Sequence, residues 1–148
     1  MSFISPKKKF GQNFLKNSET ALQIVNFLEL KNCKTILEIG PGMGALTQHI
    51  LNINEFQKKF VEVDKECCEY LEKTYPEIEG KLINTDFLKL NLSVLDHPIA
   101  VIGNFPYNIS SQILFRIINN LEFVSEMVGM FQYEVAERVS SSYGTKKY

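Results

Sequence analysis

Four consecutive residues, Asn104-Phe105-Pro106-Tyr107, carry the most specific chemistry in this sequence. The exocyclic amine of an adenine is a poor nucleophile because its lone pair is delocalised into the ring. A side-chain amide oxygen and a nearby backbone carbonyl can each accept one of its N–H bonds. Together they pull the nitrogen toward a tetrahedral shape with its lone pair aimed at an electrophile. Asn104 would supply the first acceptor and the Phe105 carbonyl the second. Pro106 lacks an N–H and has a fixed φ, so it stiffens the turn. Tyr107 offers a ring on which a base taken out of its helix can stack. Such a site needs no general base with a shifted pKa, because positioning an in-line transfer does most of the work. The plain alternative is an Asn-x-Pro turn with no chemistry at all.

A second motif, Glu38-Ile-Gly40-Pro-Gly42-Met-Gly44, reads as a turn between a strand and a helix. Glycines there let the backbone turn sharply and approach a ligand, and free helix N–H groups can donate to it. Glu62 follows Gly40 by 22 positions (62 − 40) at the end of the next strand, where a carboxylate would accept hydrogen bonds from ribose hydroxyls. The run Gly40 to Ala45 also fits the G-x-G-x-x-A form of a dinucleotide fingerprint, so NAD is a rival ligand, and a glycine turn with no ligand is a third reading. Asp86, at the end of a third strand, could accept the amine of a cofactor's adenine with the Phe87 ring packed near the base. Aspartate after a strand is otherwise a turn or helix cap.

These loops need a frame that places them side by side. Apolar periodicity predicts a helix capped by Ser18, then strands over Thr35–Ile39, Lys59–Val63, Lys81–Thr85, Ile99–Ile102 and Phe123–Phe131. Helices are predicted between them over 45–53, 65–74 and 109–119, with a last one over 132–139. Strands alternating with helices specify a parallel, doubly wound α/β sheet, and the continuous apolar run of Ile99–Ile102 marks an inner strand. Ligands bind such sheets beyond the carboxyl ends of the strands, where each motif above falls. Residues 140–148 read as a loop. A sheet ending on the strand with Val124, Met127, Val128, Met130 and Phe131 would expose an apolar edge, so a truncated chain of poor solubility is expected.

Composition narrows the setting. The 148 residues suit one domain, and 45% hydrophobic with 22% charged residues are those of a soluble globular protein. There is no apolar run long enough to span a membrane and no signal peptide. Cys33, Cys67 and Cys68, without a Cys-x-x-Cys pattern or nearby histidine, predict free thiols in a reducing cytosol and no metal site. A net charge of −1 does not advertise nucleic-acid binding. Basic character is local, at Lys7, Lys8 and Lys9 and at Lys146 and Lys147, and such runs are commonly solvated surface.

With these motifs in hand, the chain closely resembles the small-subunit ribosomal RNA adenine dimethyltransferases, the KsgA/RsmA group. The resemblance covers residues 6–148. Lys8-Lys-Phe-Gly-Gln-Asn-Phe-Leu15 is similar to the family's N-terminal signature, and Gln132-Tyr-Glu-Val-Ala-Glu-Arg138 to a helix that helps wall the target site. The resemblance implies a Rossmann-like class I fold that depends on S-adenosylmethionine. Residues 1–17 would form a basic segment covering the cofactor, with Asn13 and Leu15 folded over its methionine end and Lys7, Lys8 and Lys9 toward RNA. Residues 18–148 would form the cofactor-binding domain, with Gly40, Gly42 and Gly44 as the cofactor loop, Glu62 on the ribose, Asp86 and Phe87 at the adenine, and Asn104 touching both cofactor and target. Transfer of four methyl groups to two adjacent adenines near the 3′ end of 16S RNA is implied, by a monomer acting in the cytoplasm on an immature small subunit. Two departures stand out. Phe105 replaces a common leucine, and relatives continue past position 148 into further strands and a helical domain. The related Erm-type enzymes, which modify large-subunit RNA, are the near alternative, and a non-catalytic ribosome-assembly protein is the alternative of another class.

Overall fold

The apolar runs of the sequence fold as strands: β1 (Thr35–Ile39), β2 (Gln57–Glu62), β3 (Leu82–Asn84), β4 (Ile99–Asn104) and β5 (Val124–Met130). Between and around them lie α1 (Ser18–Asn26), α2 (Thr47–Ile50), α3 (Lys65–Thr74), α4 (Ser110–Ile118) and α5 (Tyr133–Ser140). The computed structural model describes residues 3–141, so Lys146, Lys147 and most of the terminal loop lie outside the described residues. All strand pairs are parallel and the order is β3-β2-β1-β4-β5, the doubly wound arrangement expected.

Successive residues of a strand face opposite sides of the sheet, and the core is split accordingly. Leu37, Val61 and Val101 enter one apolar cluster with Ile113 and Ile117 of α4. Their neighbours Ile36, Phe60 and Ile102 enter the other, with Ala21, Ile24 and Val25 of α1 and Leu71 of α3. Both faces are covered, so every residue of β1 is buried, and so is β4 up to Gly103. The inner position predicted for β4 holds, between β1 and β5.

Several boundaries differ from expectation for local reasons. The cap of α1 is Asn17 rather than Ser18: its side-chain oxygen accepts from the Thr20 N–H at 2.9 Å, satisfying a donor of the first turn. The helix expected over 45–53 shrinks to Thr47–Ile50, because Gly40, Gly42 and Gly44 all have positive φ and a turn occupies residues 42–46. β3 stops at Asn84, so Asp86 does not close it. Instead Asp86 caps a 3₁₀ turn over Phe87–Lys89, accepting from the Leu88 N–H at 2.9 Å. β5 lies at the edge of the described sheet, yet its apolar side chains are not bare: Val124 is buried, and Met127, Val128 and Met130 pack against the two clusters.

Candidate active site

The carboxyl ends of β1, β2 and β4 meet at one cleft, roofed by residues 10–15 of the N-terminal segment. Of the residues singled out in the sequence, Asn13, Leu15, Gly40, Gly42, Glu62, Asn104 and Pro106 line it. Asp86 and Phe87 are not among its lining residues, and the Phe87 ring is buried in the core under the guanidinium of Arg116. Gly44 is also outside the lining. There the chain has φ +85°, and a Cβ would come within 2.4 Å of the Tyr75 ring.

The glycine loop works differently from the way its sequence suggests. Each of its glycine N–H groups is already used inside the protein: Gly40 donates to the Val61 carbonyl at 2.9 Å, Gly42 to Glu62 Oε2 at 3.0 Å and Gly44 to the Pro41 carbonyl at 2.8 Å. The loop therefore contributes shape and a close-lying backbone rather than free donors. Gly42 lies directly under the Phe14 ring, 3.2 Å from where its Cβ would be, so the roof rests on the loop.

Two carboxyls form the floor. Glu62 is buried, with Oε2 taken by Gly42 and Oε1 accepting from the Asp64 N–H at 3.0 Å, which fixes the orientation of the group. Burial raises its pKa despite these bonds. Glu38, in the cleft wall beside Gly40, is buried and accepts from the Thr47 hydroxyl at 2.7 Å, and desolvation pushes its pKa up to about 8. Neither carboxyl has a salt-bridge partner among the described residues. Glu38 precedes the glycine turn as a lone acid in an otherwise apolar strand, a signal that marks it among the residues of the site. A floor of two acids without cationic partners among the described residues, with the three glycine N–H groups already occupied, suits the hydroxyls of a nucleoside better than a diphosphate.

The Asn104–Tyr107 loop leaves the end of β4 at the cleft. Asn104 donates through Nδ2 to the Asn13 carbonyl at 2.8 Å, which leaves Oδ1 as the free acceptor. Among the described residues the Phe105 carbonyl accepts no backbone hydrogen bond, while the Phe105 N–H donates to Met130 at 3.2 Å. The Phe105 side chain points into the core and packs on Phe131 with ring centroids 4.9 Å apart. Thus its ring anchors the loop while its carbonyl is left without a backbone partner among the described residues. Tyr107 is half exposed, Pro106 borders the cleft, and the Pro106 carbonyl accepts from the Ile109 N–H at 3.2 Å to close the turn. Lys8 and Lys9 are exposed. Lys7 is not a free cation: its Nζ pairs with Asp64 at 2.9 Å and Glu66 at 3.1 Å.

A parallel sheet in this order, with a glycine turn after β1, an acid ending β2 and a polar loop ending β4, defines the Rossmann-like class I methyltransferase fold. The chain belongs to the ribosomal RNA adenine dimethylase family, which it matches over residues 4–148. It is 46% identical to the ribosomal RNA small subunit methyltransferase A of Cytophaga hutchinsonii and 45% identical to that of Flavobacterium johnsoniae. All of the chain is matched in both cases, but it spans only 58% and 57% of those proteins' lengths. Among solved structures it is similar to a dimethyladenosine transferase from Plasmodium falciparum, with a TM-score of 0.75 and 28% identity over 92% of this chain and 49% of that one. It is also similar to the 23S rRNA methyltransferase ErmE, with a TM-score of 0.73 and 27% identity over 89% of this chain and 53% of that one.

Proposed function

We propose that this chain holds S-adenosylmethionine in the cleft and, within a longer protein like its relatives, directs dimethylation of adenine N6 in small-subunit ribosomal RNA. The carrying observation is Asn104, whose amide nitrogen is tied to the Asn13 carbonyl so that Oδ1 remains an acceptor beside the open Phe105 carbonyl. Glu62 accepts the ribose hydroxyls with its remaining lone pairs, and Glu38, held by the Thr47 hydroxyl, lines the cleft as a buried polar group. Asn13 and Leu15 cover the methionine end, and Gly40 and Gly42 let the backbone approach. Asp86, whose carboxylate caps the turn after β3, is assigned to the adenine end by the family resemblance alone.

The cofactor supplies an electrophilic methyl group. Asn104 Oδ1 and the Phe105 carbonyl take the two amine N–H bonds, localise the nitrogen lone pair and aim it at the cleft. Pro106 keeps the turn rigid, and Tyr107 offers the stacking surface for the extruded base. The N6 proton leaves to water after transfer, so no buried base is required. Lys8 and Lys9 meet phosphate. The protein acts as a cytoplasmic monomer on the RNA of an immature small subunit.

Asn104→Ala should leave S-adenosylmethionine binding within a few-fold while methylation falls by roughly 10²-fold or more, the usual cost of deleting one transition-state hydrogen-bonding group. Unchanged methylation would remove the amide from the mechanism, and would equally suit an assembly protein whose contact with RNA needs no chemistry. Offering separate purified subunits with labelled cofactor tests the substrate. The likeness to ErmE makes large-subunit RNA the second reading, and label confined to that subunit would establish it. Label on the small subunit is expected from the curated relatives.

A further inference from the structure

The N-terminal segment does more than lie on the cleft. It is bolted to the frame at a residue that none of the roles above uses. Asp64 is buried, follows Glu62 by two positions, and donates its own N–H to Glu62 Oε1 at 3.0 Å. Its carboxylate caps α3 by accepting from the Glu66 N–H at 3.1 Å. The same carboxylate receives two groups from the N-terminal segment, Lys7 Nζ on Oδ1 at 2.9 Å and Gln12 Nε2 on Oδ2 at 3.0 Å. Gln12 is itself held in place, its Oε1 accepting from the Lys7 N–H at 2.8 Å. Just beyond, Gly11 at φ +62° packs so closely on the target loop that a Cβ would sit 2.1 Å from Asn108 Oδ1, and the Asn13 carbonyl orients Asn104.

We propose that Asp64 is a positioning residue that latches residues 7–15 closed, so that ribose recognition at Glu62 and presentation of Asn104 are assembled by one strap. This rests on the reading of the cleft as a S-adenosylmethionine site. Burial alone would raise the Asp64 carboxyl, but the hydrogen bonds from Lys7, Gln12 and the Glu66 N–H outweigh it and hold the group below the ordinary carboxylate range. The acid is therefore ionised and Lys7 charged together across the neutral range, where the latch is fastened.

Asp64→Asn separates latching from capping. Asparagine caps a helix as well as aspartate, so α3 is kept, but Nδ2 then faces the Gln12 amide donor and the charge opposite Lys7 is lost. In the full chain without ligand, amide exchange of residues 7–15 should quicken by about fivefold or more while the thermal midpoint changes little. A strap closed only part of the time weakens apparent affinity by its closed fraction, so the calorimetric Kd for S-adenosylmethionine should rise about tenfold. The KM for the cofactor should follow, with kcat within about twofold at saturation. Lys7→Met should act in the same direction but more weakly, as expected of a half-exposed ion pair. Adding Gln12→Glu to Asp64→Asn supplies an acceptor for Nδ2 and returns the negative charge near Lys7, so it should restore both slow exchange and affinity. Unchanged exchange of residues 7–15 in Asp64→Asn overturns the latch, and unchanged affinity overturns its link to the cofactor. Failure of the unaltered protein to bind S-adenosylmethionine would sink the proposed function instead, while exchange in the ligand-free chain still judges the latch.

Discussion

The Phe105 ring lies where a Cβ on Gly129 would come within 1.9 Å of it, and a Cβ on Gly103 within 2.9 Å. Two glycines on neighbouring strands, paired in register, therefore make the flat bed on which the target loop is anchored. A leucine at position 105 would need less of this space, so the departure of Phe105 from the family pattern is matched by small residues around it. Gly129→Ala should destabilise the protein by about 1–3 kcal/mol, the range for an overpacked core, read as a lower denaturant midpoint. Because the displaced ring carries the Phe105 carbonyl with it, methylation should fall more than cofactor affinity does. An unshifted midpoint would show that the ring relaxes freely.

At the scale of elements, α1 links the strap to the sheet. The strap runs straight into the Asn17 cap, and Ala21, Ile24 and Val25 dock the helix on one core cluster. Asn17→Ala should cost about 1 kcal/mol through loss of the bond to the Thr20 N–H, measured by denaturant unfolding. Ser18→Ala should cost only a few tenths, which distinguishes the two adjacent cap candidates. Equal losses would restore Ser18 as the cap. The short α2 makes the complementary point. Its sequence has helical periodicity from Ala45, but the left-handed glycines before it consume that turn to shape the cleft.

At the scale of the whole molecule, the buried acids of the site cost stability as pH rises. The folded protein keeps the Glu38 proton up to about pH 8, whereas the unfolded chain releases it near the ordinary value of 4.5. Between those values the native state binds more protons, so stability falls with increasing pH, and Glu62, also raised by burial, adds in the same direction. Asp64 has the opposite sign: its contribution is complete above 3.8 and is lost as pH falls through its depressed folded value. Glu38→Gln retains an acceptor for Thr47 and removes the buried ionisation. It should raise stability at pH 7.5 by on the order of a few kcal/mol and flatten the slope between pH 4.5 and 8 in thermal unfolding. A slope that persists unchanged would shift the cause to other groups.

The parallel sheet, the inner place of β4 and both faces of the core were legible in the sequence because they rest on short-range patterns. Two-residue alternation assigns Ile36 and Leu37 to opposite faces, and glycines mark the turn after β1. What the tertiary structure decided is where hydrogen-bonding capacity is spent. Only folding shows that the glycine N–H groups are occupied, that Asp86 is engaged as a cap and that Phe87 is buried in the core. Only folding pairs Lys7 with Asp64 across 57 positions and turns Asn104 by way of Asn13 across 91. A local pattern fixes which groups exist, but their partners come from distant parts of the chain, and it is the partners that leave one acceptor free and consume another.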